Sequence, residues 1–276
     1  MKKILSIVMI VVMLFAACFS MSSCSDDGTF TVGIVQQMPH AALDSATQGF
    51  KDALEEALGE DKVEFIFQNA HGESTACTTI VNDFVTKNVD LIMANATTAL
   101  QAAANGTATI PVLGTSVTEY GTALDIKDFN GLVGTNVSGT SDLAPLDEQA
   151  AMLLELFPDT KSVGMLYCSA EPNSEYQVKK VTEYLEQKGI TCTNFPFTDS
   201  NDVTSVSKAA AAASDVLYIP TDNTAATCKE AGDSAEDVKH RCKHRKNIAD
   251  IPYGKLLFLC NKESSAKCAV KSSVEN

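Results

Sequence analysis

One order of elements occurs twice in this chain, and that repeat limits the fold more than any other feature. Residues 31–36, "TVGIVQ", form a β-branched apolar run that reads as a buried strand, and "DSATQGFKDALEEALGE" behind it has the 3–4 spacing of an amphipathic helix. "KVEFIFQNA" supplies the next strand. The same order returns in "SVGMLYC" (162–168), the helix "NSEYQVKKVTEYLEQKG" (173–189) and the strand "ITCTNFPF" (190–197). The correspondence extends to "DLIMANATTAL" (90–100) and "DVLYIPTDNTA" (215–225), each an aspartate, an apolar strand and a polar opening to an alanine-rich helix. Here Asp90 matches Asp215, Thr97 matches Asp222 and Thr98 matches Asn223. Strands separated by crossover helices predict a parallel sheet covered on both faces. The expected class is therefore α/β, with two doubly wound parallel-sheet lobes. The crossing between them falls in "TEYGTALDIKDFNGLVGTNVSGTSD", rich in Gly, Asn and Asp and weak in periodicity.

The N-terminus carries two lysines, about sixteen mostly apolar residues and then small residues leading to cysteine, the layout of an export signal. Its apolar run is short for a membrane span. Cys24, followed by the polar "SDDG", is the preferred lipidation site and Cys18 the alternative; an ordinary secretory peptide is the rival reading. The expected divisions are a signal peptide at 1–23, a tether at 24–30, a first lobe at 31–118, a crossing at 119–140, a partial second lobe at 141–228 and an atypical tail at 229–276.

Charge separates the tail from the rest. Residues 1–228 hold 11 lysines, no arginine and 28 acidic residues, whereas residues 229–276 hold ten basic and seven acidic ones. Only "DIPYGKLLFLC" (250–260) in the tail reads as a strand, and both arginines of the protein lie there. The tail reads either as a frameshifted or misassigned end or as a divergent native one. A net charge of −14 argues against nucleic acid and against anionic lipid as partners. The nine cysteines are irregularly spaced and include no C-x-x-C. Cys77, Cys168 and Cys192 fall inside helix or strand patterns and are expected as small buried thiols. His240, Cys242 and His244 lack a second ligand pair, so no metal and no cofactor is expected.

In an open parallel sheet the ligand site lies beyond the carboxyl ends of the strands. Helix N-termini there present free N–H groups and a dipole that favour an anion. The loops that reach this edge are "QQMPH" (36–40), "ATT" (96–98), "TSVT" (115–118), "SAEPNS" (169–174) and "PTDNT" (220–224), joined by "GTSDLAP" (139–145), and all are polar. Thr97, Thr98, Asp142, Asn173 and Asn223 are each also explained as simple helix caps. Such loops converging on one edge of two sheets nonetheless point to a shared site. A catalytic reading has little support. The chain has no G-x-S-x-G, P-loop, G-x-G-x-x-G or H-E-x-x-H motif, and His40 and His71 have no evident nucleophile beside them.

The segments "GIVQQMPHAALDSATQGF", "DLIMANATTALQAAAN", "IPVLGTSVT", "GTSDLAP", "LFPDTKSVGMLYCSAEPNS" and "VLYIPTDNT" together resemble the extracytoplasmic substrate-binding lipoproteins of ABC importers, in the group associated with tryptophan, tyrosine and related amino acids. The resemblance covers roughly residues 30–228 and implies the type I periplasmic-binding-protein architecture. It implies ligand contacts from Gln36, His40, Thr97, Thr98, Ser116, Ser141, Asp142, Glu171, Asn173, Ser174, Asp222 and Asn223, with no catalytic residue. Ala41 stands where the family usually has proline. The implied protein is a lipid-anchored, monomeric, non-enzymatic capture component that closes on a small zwitterion and passes it to a membrane permease and its ATPase. Asp142 and Asp222 are the expected partners of the ligand ammonium, and the start of the helix at Thr97 and Thr98 that of its carboxylate. With no Trp in the chain, a Phe or a Tyr, such as Tyr120 or Tyr167, would have to receive an aromatic ligand side chain, and the sequence does not assign that role. The alternatives within the fold are a sensory or sugar-binding lobe, or a non-functional truncated copy; the low aromatic content weighs against sugars. Asn95, Asn105 and Asn136 form N-x-S/T sequons, read here as chance.

Overall fold

A computed structural model describes residues 28–232 and the strands at 257–261 and 268–271. The expected signal peptide, Cys18, Cys24, His240, Cys242 and His244 lie outside the described residues. The first lobe runs β1 (Phe30–Gln36), α1 (Ala41–Leu58), β2 (Val63–Asn69), α2 (Ser74–Thr86), β3 (Leu91–Asn95), α3 (Thr97–Gly106), β4 (Val112–Val117), a one-turn α4 (Tyr120–Ala123) and β5 (Val137–Ser141). Its sheet has the order β2-β1-β3-β4-β5, parallel throughout. The second lobe runs α5 (Leu146–Leu156), β6 (Ser162–Cys168), α6 (Pro172–Gln187), β7 (Thr191–Phe197), α7 (Val203–Ala213), β8 (Val216–Ile219) and α8 (Asn223–Gly232), followed by β9 (Leu257–Asn261) and β10 (Cys268–Lys271).

The second sheet has the order β10-β9-β8-β6-β7. Strands β7, β6 and β8 are parallel, as the repeat predicts. Strand β9 runs antiparallel to β8, and β10 antiparallel to β9. The reversal is confined to the tail beyond residue 228, and the strands of the expected partial second lobe are all parallel. The crossover logic holds only within the repeated units, and the tail breaks the pattern with a reversal that needs no crossover helix. Strand β10 was not expected; its four residues, "CAVK", are too few for alternation to stand out. The first sheet also reaches further than expected, because β5 pairs with β4 through Ser141 rather than serving as a loose crossing.

Period-two alternation explains why both faces of each sheet are covered. In β1, Val32 and Ile34 pack with Phe50 and Leu54 of α1 on one face. Val35 packs on the other, against the cluster holding Phe84 of α2 and Leu100 of α3. In β6, Val163, Met165 and Tyr167 face Leu153 and Val181, while Leu166 and Cys168 face Phe197 and Ala225. Phe84, Leu100, Met165 and Leu153 are all fully buried. Each such side chain contributes roughly 1.5–3 kcal/mol of transfer free energy. Gly33 and Gly164 hold the same place in β1 and β6. A Cβ on Gly33 would stand 2.6 Å from the Phe84 ring, and one on Gly164 2.6 Å from the Ser214 hydroxyl. Each lobe therefore brings a neighbour onto its first strand where no side chain intervenes.

The repeat is also visible in hydrogen bonds. Asp90 Oδ2 accepts from the Thr31 N–H at 2.8 Å, and Asp215 Oδ2 accepts from the Ser162 N–H at 3.0 Å. Each aspartate thus ties the start of one strand to its neighbour. Cys77 and Cys168 are buried free thiols and Cys192 is half-buried; burial pushes all three up to about 11. Among the described residues no helix is long and apolar enough to cross a membrane.

Candidate ligand-binding site

In each lobe the order of strands reverses beside the first strand of the repeat, between β1 and β3 and between β6 and β8. Crevices form at such points because the flanking loops leave to opposite faces. Of the loops predicted from sequence, 36–40 and 96–98 occupy the first reversal and 169–174 and 220–224 the second, while 115–118 and 139–145 follow β4 and β5. Within the first lobe, the Ala96 N–H donates to the Thr115 carbonyl at 3.0 Å, which sets the start of α3 beside Ser116. Ser116 itself adopts φ 54°, at an irregularity in the β4–β5 pairing. Ala96 has φ 87° and ψ 164°, a region that only glycine enters freely, and so holds the chain strained at the mouth of α3.

The lobes meet here. Helix α4 packs on α6, and an open cavity of about 270 Å³ runs along α2, from Ser74 to Asn82, and along α3, from Thr98 to Gly106, and is closed on one side by Ala170 of the second lobe. Of the residues expected at the site, Thr98 lines this cavity directly. A larger hollow of about 420 Å³ lies elsewhere, between the start of α5 and Tyr176 and Tyr184 of α6, and none of the expected contacts lines it.

Several expected contacts are taken up internally. Gln36 is fully buried. Its Nε2 donates to the Met38 carbonyl at 2.9 Å and to Asp44 at 2.7 Å, and its Oε1 accepts from the Thr47 hydroxyl at 2.7 Å and from Asn95 at 3.4 Å. With both donors and both lone pairs engaged, Gln36 joins β1, α1 and β3 and has nothing left for a ligand. His40 caps α1, its Nδ1 accepting from the Ala42 N–H at 3.2 Å. Ser141 is exposed; its hydroxyl donates to the Thr118 carbonyl at 2.7 Å and accepts from the Leu143 N–H.

The second lobe is more tightly knit. Glu171, 2% exposed, sets its carboxylate on the start of α8: Oε2 accepts from the backbone and side-chain N–H of Asn223 at 3.0 and 2.9 Å, and Oε1 from the backbone N–H and hydroxyl of Thr224, both at 2.8 Å. Asp222 caps the same helix through Ala225 N–H at 2.8 Å and takes the Cys168 N–H at 2.6 Å. Ser174, fully buried, adds its hydroxyl to Asp222. Asn173 donates to Glu171, Ser174 and the Thr221 carbonyl. The start of α8 is thus closed by the protein's own carboxylates.

Among the described residues four buried side-chain polar atoms make no hydrogen bond, Asn95 Oδ1, Thr182 Oγ1 and two on residues expected to touch a ligand. Asn173 Oδ1 and Asp142 Oδ1 are buried and accept no hydrogen bond within the chain. Tyr120 lies close to Asp142, whose charge adds to the effect of burial in pushing the phenol up to about 12. Tyr120 belongs to α4, which packs on α6, the helix that carries Asn173. Neither candidate stacking ring is free. The Tyr120 hydroxyl donates to the Gly114 and Thr140 carbonyls, and Tyr167 packs in the second core.

Sequence reasoning passed over Gln37 and Gln177. Gln37, 4% exposed, accepts with Oε1 from the Thr98 N–H at 3.3 Å. Gln177, 1% exposed, holds Thr221 through its backbone N–H and its hydroxyl. An amide inside a helix carries no burial signal of its own, and "QQ" does not say which glutamine turns inward.

Burial, reinforced by the Glu171 charge, pushes the Asp222 carboxyl up to about 7 from an ordinary value of 3.8, against the opposing bonds from Ala225, Cys168 and Ser174. Because the folded state holds this proton more tightly than the unfolded one, the contribution to stability is complete below about pH 4 and is lost as pH rises through about 7. Urea unfolding of the chain is expected to show a midpoint that falls over that interval. Asp222→Asn is expected to flatten the fall, whatever its effect on absolute stability. An equal slope in both proteins would show that another group carries the proton.

These features define two α/β lobes in contact, with an anion-favouring helix start at α3 and a helix start closed by carboxylates at α8. The chain belongs to the ABC transporter substrate binding protein family, whose model matches residues 31–242. It is 34% identical over 194 residues to the tyrosine-binding protein of Clostridioides difficile strain R20291, a match that covers 70% of this chain and 56% of that protein. The chain thus spans little more than half the length of this curated relative. Among solved structures it is similar to the ABC domain of Streptococcus pneumoniae in complex with L-Trp, with TM-score 0.69 and 30% identity over 73% of this chain and 68% of the other. A conserved domain protein from Vibrio cholerae gives TM-score 0.69 and 33% identity over 73% and 69%. The type I periplasmic-binding-protein architecture expected from the sequence is therefore the one this chain has.

Proposed function

We propose that this chain is the solute-capturing component of an ABC importer and that it takes an aromatic amino acid by its two charges. The observation that carries the reading is a helix start that favours an anion together with two buried acceptors, on Asp142 and Asn173, that have no donor. The start of α3, at Thr97 and Thr98, presents N–H groups to a carboxylate. The open acceptors Asp142 Oδ1 and Asn173 Oδ1 suit an ammonium, which brings three donors, and buried acceptors left without donors cost free energy. The aromatic class is supported by the tyrosine-binding relative and by the L-Trp complex. The family's role further supports a place outside the cytoplasm, delivery to a permease and its ATPase, and a protein that binds without catalysing. Anchorage through a lipidated Cys24 and a monomeric state belong to the same reading.

Calorimetry tests it. L-Tyrosine and L-tryptophan are expected to bind with a dissociation constant on the order of 1 μM, about −8 kcal/mol. Tyramine, which lacks the carboxylate, and 3-(4-hydroxyphenyl)propanoate, which lacks the ammonium, are each expected to lose about tenfold or more, since a charge-assisted hydrogen bond contributes roughly 1.5–3 kcal/mol. Folded protein that ignores all four compounds, or binds them equally, would overturn the proposal.

A further inference from the structure

The repeat places the start of α3 and the start of α8 in equivalent positions, yet the two are closed in different ways. On α8 the cover is a carboxylate, with Glu171 taking the Asn223 N–H at 3.0 Å and the Thr224 N–H at 2.8 Å. On α3 the N–H of Thr98, which matches Asn223, meets the neutral Gln37 Oε1 at 3.3 Å. That is longer than the usual range for an N–H···O bond. Both covering residues come from the loop after the first strand of their own lobe. Ala96, at the mouth of α3, contributes no side-chain cap. The backbone of Gln37 is fixed at both ends: its N–H donates to the Asn95 carbonyl at 3.2 Å, and its carbonyl accepts from the Gly72 N–H at 2.8 Å. Only the side chain is left to move, and it covers the N–H of Thr98, a residue that also lines one end of the cavity along α3.

We infer that Gln37 is a displaceable cover for the ligand carboxylate: its amide oxygen holds the Thr98 N–H while the site is empty of ligand, and a carboxylate drives it off because an anion is favoured at a helix start over a neutral oxygen. Glu171 marks the contrasting case, a start closed permanently by an internal anion. With the carboxylate at the start of α3, the ammonium is left to face Asp142 and Asn173, which fixes the orientation of a bound amino acid. This inference rests on the amino-acid reading above and adds to it a residue that sets both affinity and direction.

Gln37→Glu and Gln37→Ala test it together. Gln37→Glu gives the first lobe the closure of the second: the ligand-free protein is expected to melt at a higher temperature, while affinity for L-tyrosine falls about tenfold or more, a difference of about 1.4 kcal/mol. The loss is expected for L-tyrosine and not for tyramine, which has no carboxylate to compete. Gln37→Ala is expected to do the reverse, with a lower melting temperature and tighter tyrosine binding. A residue that merely supports the fold would move melting temperature and affinity in the same direction. The inference is overturned if both variants weaken tyrosine and tyramine alike, or if neither changes affinity. Wild-type protein that binds no amino acid would overturn the parent reading, and this one with it; binding by wild type with unresponsive variants would overturn this one alone.

Discussion

Glu171→Ala is expected to lower the unfolding free energy of the second lobe by about 3–5 kcal/mol, read as a shift of the urea midpoint at unchanged slope. The size follows from what the carboxylate holds. It takes the first two N–H groups of α8 together with the Asn223 amide and the Thr224 hydroxyl, and it also takes the Asn173 amide at 3.2 Å. Its removal strands several buried donors at once, each costing roughly 1–3 kcal/mol where water does not reach. It also removes a capping anion from a helix start. Two terms offset part of the loss: one fewer anion beside Asp222, and water entering the space left behind. Glu171→Gln keeps one accepting oxygen and is expected to lose about half as much. A midpoint unmoved by Glu171→Ala would mean that α8 is held by its packing rather than by its start.

Asp142→Ala is the second large effect, and it falls on binding. Removal of the partner of a buried charge costs about 2–5 kcal/mol, or roughly 30-fold and upward in dissociation constant for L-tyrosine. Stability is expected to change little, because Asp142 Oδ1 makes no hydrogen bond within the chain to lose. Binding of 3-(4-hydroxyphenyl)propanoate, which has no ammonium, is expected to be unaffected. A variant that bound tyrosine as tightly as wild type would remove Asp142 from the site.

The internal duplication made most of the architecture legible before any coordinates. "TVGIVQ" and "SVGMLYC" predict β1 and β6, and the structure places these at residues 30–36 and 162–168. The pairing of Asp90 with Asp215 in the text reappears as the same tie to the start of a neighbouring strand. A candidate site was legible as a set of loops, since a parallel sheet dictates which ends carry polar chemistry. The role of each residue was not. Gln36 reads as a rim group, but it is drawn fully inside by Asp44, Thr47 and Asn95, residues distant in sequence. Glu171 and Asp222 read as ligands and turn out to bind the protein's own helix, because a carboxylate near a helix start has the same signature in sequence whether its partner is internal or bound. The reversal at β9 and β10 was hidden, since strand direction follows from long-range pairing and not from composition.

The Asp142 N–H donates to the Val117 carbonyl at 2.9 Å, immediately after β5 completes the first sheet. The aspartate therefore travels with the first lobe, although it is numbered with the second. A guest whose nitrogen rests on Asp142 and whose carboxylate rests on α3 is held from one side alone. Recruitment and enclosure then become separate events: the first lobe selects the guest by itself, and the arrival of Asn173 sets how long it stays.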